Sequence, residues 1–281
     1  MTFNVLKNII QILLVILFSV IIAQHSIKLS LTLLKDAGCT LKNYRGNEVV
    51  FGTGIAFMPV LITSGALLFL FNSSIYDMYI VYLFAVCSMG FAALLDDLIG
   101  NKQIKGIKNH ISSFFHGHLT TGFIKAFIGA VSALVISLAI SISVLDLLLN
   151  ILCIALFTNA LNLMDLRPGR CIKVFLFVGL SIIIVNITDI AVLMPLVILL
   201  ASVLIYMRYD LREICMLGDT GSNILGITLG YYSALAFDTA GKIIIVTVLL
   251  AVNAAAEKIS ISKLIANNRF LSFLDNLGRS S

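Results

Sequence analysis

Nine apolar runs dominate this chain, centred on residues 5–23, 50–71, 78–95, 123–143, 147–164, 174–188, 190–206, 222–237 and 243–256. A helix needs roughly 20 mainly apolar residues to cross a bilayer. Lipid offers no partner to a backbone N–H or C=O, so such a run is stable there only as a helix with its own bonds closed. Little more than Thr188 and Asp189 separates the sixth and seventh runs, which predicts a tight helical hairpin. The first run continues through His25 and Lys28 with no small-residue cleavage motif, so it reads as a true span. Charged residues make up only 12% of the chain, against about 25% in soluble domains. That is too little to cover a water-facing surface. A soluble enzyme, a disordered chain and a nucleic-acid-binding module are excluded. The sequence predicts an all-α polytopic membrane protein, a single domain over 1–281, with nine transmembrane helices.

The charges give an orientation. With the N-terminus outside, the inner segments are 24–49, 96–122, 165–173, 207–221 and 257–281. Counting Lys125 at an inner helix end, they hold 17 of the 19 Lys and Arg. Only Lys7 and Lys242 fall outside, where the turns carry Asp77, Asp146, Asp189 and Asp238. This positive-inside bias predicts a cytoplasmic C-terminus in a plasma (inner) membrane. The net charge of +5 then reports topology rather than an acidic partner. The cysteines form no C-x-x-C pair, so neither a disulfide framework nor a zinc site is indicated. In the segment 257–281, Ile261, Leu264, Ile265, Phe270, Phe273 and Leu277 recur at roughly helical spacing, with Lys263, Arg269 and Arg279 between them. It reads either as an interfacial helix on anionic lipid or as an ordinary docked helix.

Four polar clusters fall on the inner side. Asp96-Asp97 ends the third run, where two carboxylates repel each other and a helix C-terminus disfavours both. Asn159, Asn162 and Asp165, spaced by three, make a polar stripe at the end of the fifth run. Arg167-Pro168-Gly169-Arg170 follows and supplies two guanidinium groups suited to phosphate. Gly218-Asp219-Thr220-Gly221-Ser222-Asn223 opens the eighth run. A helix N-terminus there would offer N–H groups to a phosphate. The basic stretch with Lys102, Lys105, Lys108, His110, His116, His118 and Lys125 is the fourth, and its lone H-x-H is a weak metal signal. Each cluster alone has a plain explanation as a helix cap, an interhelical contact or a topology charge. Chance would scatter them over both sides. Carboxylates and amides together imply Mg²⁺, and Arg and Lys imply phosphate.

The order D-D, then N-A-x-N-x-x-D, then G-D-T-G-S-x-x-L-G resembles the polyprenyl-phosphate N-acetylhexosamine-1-phosphate transferases. This family includes the phospho-MurNAc-pentapeptide translocases and the UDP-GlcNAc:polyprenyl-phosphate GlcNAc-1-phosphate transferases of cell-wall biogenesis. The resemblance covers residues 40 to 256, and Arg45-Gly46 through Gly52-Thr53-Gly54 is similar to the family's Arg-Gly then Gly-Gly segment. It implies transfer of a sugar-1-phosphate from a UDP-sugar to a polyprenyl phosphate, with release of UMP and dependence on Mg²⁺, or on Mn²⁺ in its place. By the resemblance, Asp96, Asp97 and Asp219 are catalytic, and Asp219, Asn162 and Asp165 face the metal. Asn159, Asn162, Asp165, Lys125, Arg167, Arg170, Gly218, Ser222 and Arg45 bind substrate. The bilayer and the two substrates are the partners, a homodimer is compatible, and nucleic acid is not a partner.

The chain departs from the family in being shorter, with nine rather than ten predicted spans, and in two motifs. After N-x-x-N-x-x-D the family has G-x-D-G, and this chain has Leu166-Arg167-Pro168-Gly169. No histidine follows His118, where many members carry a histidine-rich loop. A non-catalytic lipid- or nucleotide-binding paralogue is therefore the alternative. A secondary transporter would need a mid-membrane ionisable residue or a broken helix, and no span core carries a charge. The D-G-x-x-A-R pattern of CDP-alcohol phosphotransferases is absent.

Overall fold

The computed structural model describes residues 2–71, 76–100, 106–187 and 190–279. Lys102, Lys105, Thr188 and Asp189 lie outside these residues. The helices are α1 (Thr2–Asp36), α2 (Phe57–Phe71), α3 (Tyr76–Ile99), α4 (Ile107–Phe115), α5 (Thr121–Ile140) and α6 (Val144–Met164). They continue with α7 (Arg170–Val185), α8 (Ile190–Leu211), α9 (Gly218–Ala236), α10 (Thr239–Lys258), α11 (Ile261–Asn267) and α12 (Arg269–Asn276). Between α1 and α2 lie the antiparallel strands β1 (Thr40–Lys42) and β2 (Glu48–Val50) and a 3-10 turn over Thr53–Ala56.

All-α is the right class, and this hairpin is its one addition among the described residues. Seven described helices are long and apolar enough to cross a membrane. Two of the nine expected runs fall short of that standard. One is α7, with 16 residues, and the other is α9, which opens on the polar Gly218–Asn223 segment. The first helix is also longer than its apolar run, extending to Asp36. Its second half keeps a buried stripe, Ser26, Ile27, Ser30 and Leu34, while Leu29 and Leu33 stay exposed. Spacings of three and four put that stripe on one helix face.

The centre of the bundle is α9. From Gly218 to Ala234 every residue is buried except Asp219. Its small residues Ser222, Gly226 and Gly230, four apart, face α6. A Cβ on Gly226 would lie 2.4 Å from the Thr158 Cα, and one on Gly230 would lie 2.4 Å from the Ile154 Cα. Close backbone approach across small residues is how helices pack without a hydrophobic drive between them. The pairs Asn162–Ser222, Thr158–Gly226 and Ile154–Gly230 run in opposite senses, so α6 and α9 are antiparallel.

The loops assigned to the basic side meet at one end. Met216 N–H donates to the Val50 carbonyl at 2.8 Å, Thr53 N–H to the Met216 carbonyl at 3.2 Å, and Arg279 Nε to the Pro168 carbonyl at 2.8 Å. At the other end a buried ion pair ties α10 to α6. Lys242 Nζ lies 2.6 Å from Asp146 Oδ1, and Asp146 also accepts from Ile142 N–H and Asn150 Nδ2. Removing one partner strands the other charge. Lys242→Met is expected to cost about 3–5 kcal/mol, read as a large drop in thermal midpoint in detergent. A midpoint within a degree or so of the parent would show that the pair is solvated.

Candidate active site

The ends of α3, α5 and α6 converge on the first turn of α9. Asp97, in the last turn of α3, accepts from the N–H groups of Asp219 (3.0 Å) and Thr220 (2.9 Å) and from Thr220 Oγ1 (2.6 Å). Asp165, the residue that ends α6, accepts from the Gly218 N–H. This accounts for Asp97 at the C-terminus of α3. Negative charge disfavoured at that end is favoured at the N-terminus of α9, which it caps in trans. It also corrects an expectation. The first N–H groups of α9 are held by carboxylates, so they do not stand free for a phosphate.

Gly218 makes this approach possible. Its φ is +72°, and a Cβ there would lie 2.5 Å from Asp97 Oδ2 and 2.8 Å from the Gly52 Cα. The Gly52–Gly54 segment packs as closely, since a Cβ on Gly54 would sit 2.1 Å from the Gly221 Cα. Asp97→Asn removes the charge from three hydrogen bonds and turns an amide donor toward donors. About 2 kcal/mol of stability is expected to go with it, measured as a lowered melting midpoint, whereas an unchanged midpoint would remove the capping role.

Asp96 does different work. It accepts from Thr121 Oγ1 at 2.6 Å and from Lys125 Nζ at 2.5 Å. The same ammonium donates to Asp219 Oδ2. Lys125 therefore bridges α3 and α9 from α5. The Asp219 side chain keeps 29% of its surface open, in a helix otherwise sealed as far as Ala234. His110 of α4 joins through Thr120, the N-cap of α5, at 2.9 Å.

The N-x-x-N-x-x-D stripe divides. Asn162 Oδ1 accepts from Ser222 Oγ at 3.1 Å, toward α9. Asn159 Nδ2 donates to Asn253 Oδ1 on α10 at 2.6 Å. Three residues fall about 60° short of a full turn, so over two steps the stripe swings away from the cluster. Asn159 is placed beside the site rather than in it.

The arginines have other partners. Arg45 pairs with Glu213 at 3.3 Å and lies 5.4 Å from the Tyr44 ring, and Arg167 lies 5.2 Å from the same ring. Arg170 is buried and makes a bidentate pair with Asp275 of α12, both bonds 2.9 Å. The structure gives it that partner in place of the expected phosphate. Sequence reasoning missed Asp210, whose carboxylate accepts from Gly169 N–H at 2.5 Å. A single aspartate near a helix end gives no local signal of that contact.

Negative charge is in excess here. Burial pushes the Asp165 carboxyl well above the usual carboxylate range, and Asp210, Asp219 and Asp97 add to the shift. One lysine faces the carboxylates of Asp96 and Asp219. Hard oxygen donors with surplus charge suit a divalent cation such as Mg²⁺. Among the described residues no group of three or more His, Cys, Asp or Glu is gathered closely enough to hold a metal by itself. Such an ion would need substrate oxygens to complete its shell, as Mg²⁺ commonly does. His116 and His118 form no such group, and His116 Nδ1 lies 2.7 Å from the Ser112 carbonyl oxygen.

Residues of α6, α7 and α10, with Ser233 and Phe237, line an open apolar cleft of about 340 Å³ that reaches Met164, next to Asp165. Leu161 and Met164 line it within a turn of Asp165, and Ile245 and Val248 line its far wall. No family model matches this chain, and no curated protein matches it.

Proposed function

We propose that this protein transfers a sugar-1-phosphate from a UDP-sugar, of the N-acetylhexosamine class, to a polyprenyl phosphate at the cytoplasmic face, releasing UMP. Nine helices cross the membrane in this reading, with the N-terminus outside. α9 need not be apolar throughout, because its neighbours seal it from lipid. The observation that carries the proposal is the meeting of Asp96, Asp97, Asp165 and Asp219 around Gly218 and Lys125, with an apolar cleft that reaches Met164, next to Asp165. Charged groups for phosphate thus adjoin an apolar space for a hydrocarbon chain.

In the reaction an oxygen of the lipid phosphate bonds to the β-phosphorus. The bond from that phosphorus to the bridging oxygen breaks, and the oxygen leaves with UMP. Two anions must approach, so neutralisation and alignment dominate the barrier. Mg²⁺ bound through Asp219, with Asn162 and Asp165 facing it, would neutralise the pyrophosphate. Lys125 holds Asp219 and Asp96 in place and offers positive charge to the phosphates. Arg167, over Tyr44, meets the nucleotide. A phosphomonoester has a second pKa near 6, so the attacking oxygen is largely ionised without a strong base.

The experiment supplies purified protein with undecaprenyl phosphate, Mg²⁺ and a panel of UDP-sugars, and follows UMP. Release with one sugar, lost with EDTA, is the expected result. The reading with binding and no turnover is favoured by one placement, the engagement of Arg170 by Asp275. Its outcome would be UMP or lipid binding with no release across the panel.

A further inference from the structure

The segment after α10 is fastened to the loop that follows Asp165. Asp275, 7% exposed, takes both Arg170 bonds and a third from Arg279 Nη2 at 2.8 Å. Arg279 Nε donates to the Pro168 carbonyl at 2.8 Å. Lys173 Nζ donates to the carbonyls of Leu274 (2.9 Å) and Asp275 (2.8 Å), closing the end of α12. Arg170 Nη1 also donates to Ser262 Oγ of α11 at 3.1 Å. Three consecutive residues are therefore held: Pro168 by Arg279, Gly169 by Asp210, and Arg170 by Asp275. Two of these anchors come from the terminal segment. Burial opposes the charge on Asp275, and Arg170 and then Arg279 hold its carboxyl below the usual carboxylate range. The outer side of α12 is apolar, with Phe270 and Phe273 exposed, and α11 links it to the end of α10.

We infer that Asp275 is a positioning residue: through Arg170 and Arg279 it fixes the 166–169 loop, and with it Asp165 and Arg167, against the nucleotide. The inference rests on the transferase reading for its consequence, but the latch itself has an independent readout. A bidentate guanidinium–carboxylate pair fixes orientation as well as distance. A loop set loose by as little as 1 Å can slow a reaction by roughly a hundredfold. The latch is confined to Asp275, Arg170, Arg279, Lys173 and Ser262, none of which is placed against the α9 cluster.

The test uses the full chain in nanodiscs, with Cys39→Ser and Cys87→Ser, and a nitroxide on Leu166→Cys. Leu166 is exposed and carries the label without a core defect. In the parent the label is expected to be restricted. Asp275→Asn should mobilise it, Asp275→Glu should restore much of the restriction, and Arg279→Gln should loosen it partly. Arg279→Gln also serves if Asp275→Asn does not fold. In UMP release, Asp275→Asn should raise the KM for the UDP-sugar roughly tenfold to a hundredfold, with the KM for the lipid phosphate unchanged. A label that stays restricted in Asp275→Asn and Arg279→Gln overturns the latch whatever the activity. A mobile label with unchanged KM overturns the positioning role. A mobile label in a protein whose parent releases no UMP supports the latch and sinks the transferase reading instead.

Discussion

Asp219→Asn is expected to lower UMP release by roughly a thousandfold or more, about 4 kcal/mol of barrier, while the protein stays folded. The side chain is isosteric, and the caps of α9 do not depend on it. Asp97 and Asp165 hold the first N–H groups of that helix. What changes is the partly exposed carboxylate that shares Lys125 with Asp96. Losing its charge removes the hard oxygen ligand and releases one side of the ammonium bridge. Melting curves of the two proteins should nearly coincide. A variant that retains activity would remove Asp219 from the metal assignment, and one that fails to fold would make it a structural residue.

A large structural effect is expected at Gly226. The Gly226→Ala Cβ would meet the Thr158 Cα at 2.4 Å and the Phe157 carbonyl oxygen at 2.9 Å, and backbone cannot step aside as a side chain can. Forcing α6 from α9 also draws Asn162 from Ser222 and Asp165 from Gly218. A cost of about 3 kcal/mol or more is expected. Gly179→Ala is the matched control. Its Cβ would meet only the flexible ends of the Leu200 and Leu196 side chains, at 3.0 and 3.5 Å, and alanine favours a helix over glycine by about 1 kcal/mol. The two variants should therefore differ clearly in thermal midpoint, with Gly179→Ala near the parent. Equal midpoints would mean that the α6–α9 approach is looser than described.

Much of this arrangement is legible in the sequence because membrane helices are long, apolar and charged only at their ends. The lysine and arginine bias groups the polar clusters on one side, and the ends of α3 and α6 that carry Asp97 and Asn162 do meet at α9. Less legible were relations set by packing. Ser222, Gly226 and Gly230 are visible at four-residue spacing, yet only the partner helix shows what they admit. Asp97 looked ill placed because its own helix was the only one in view, whereas α9 supplies the positive end it caps. Arg170 looked like a phosphate ligand because a buried partner more than a hundred residues away leaves no local trace. Asn159 looked like part of one face because a spacing of three is close to a helical turn without equalling it. Both α7 and α9 begin four residues before their apolar runs. Hydropathy registers apolar content, and a helix enclosed by others can be short or polar at one end.

The most direct test follows the phosphorus. A UDP-sugar carrying radiophosphorus at the β position is incubated with the purified protein, undecaprenyl phosphate and Mg²⁺, and the organic phase is counted. Sugar-1-phosphate transfer predicts label in the lipid, unlabelled UMP in the water, and loss of both with EDTA or Asp219→Asn. Label that stays in water as UDP while sugar reaches the lipid would contradict the account, because the bond broken would then be the glycosidic one. So would the absence of any lipid label with every donor tried.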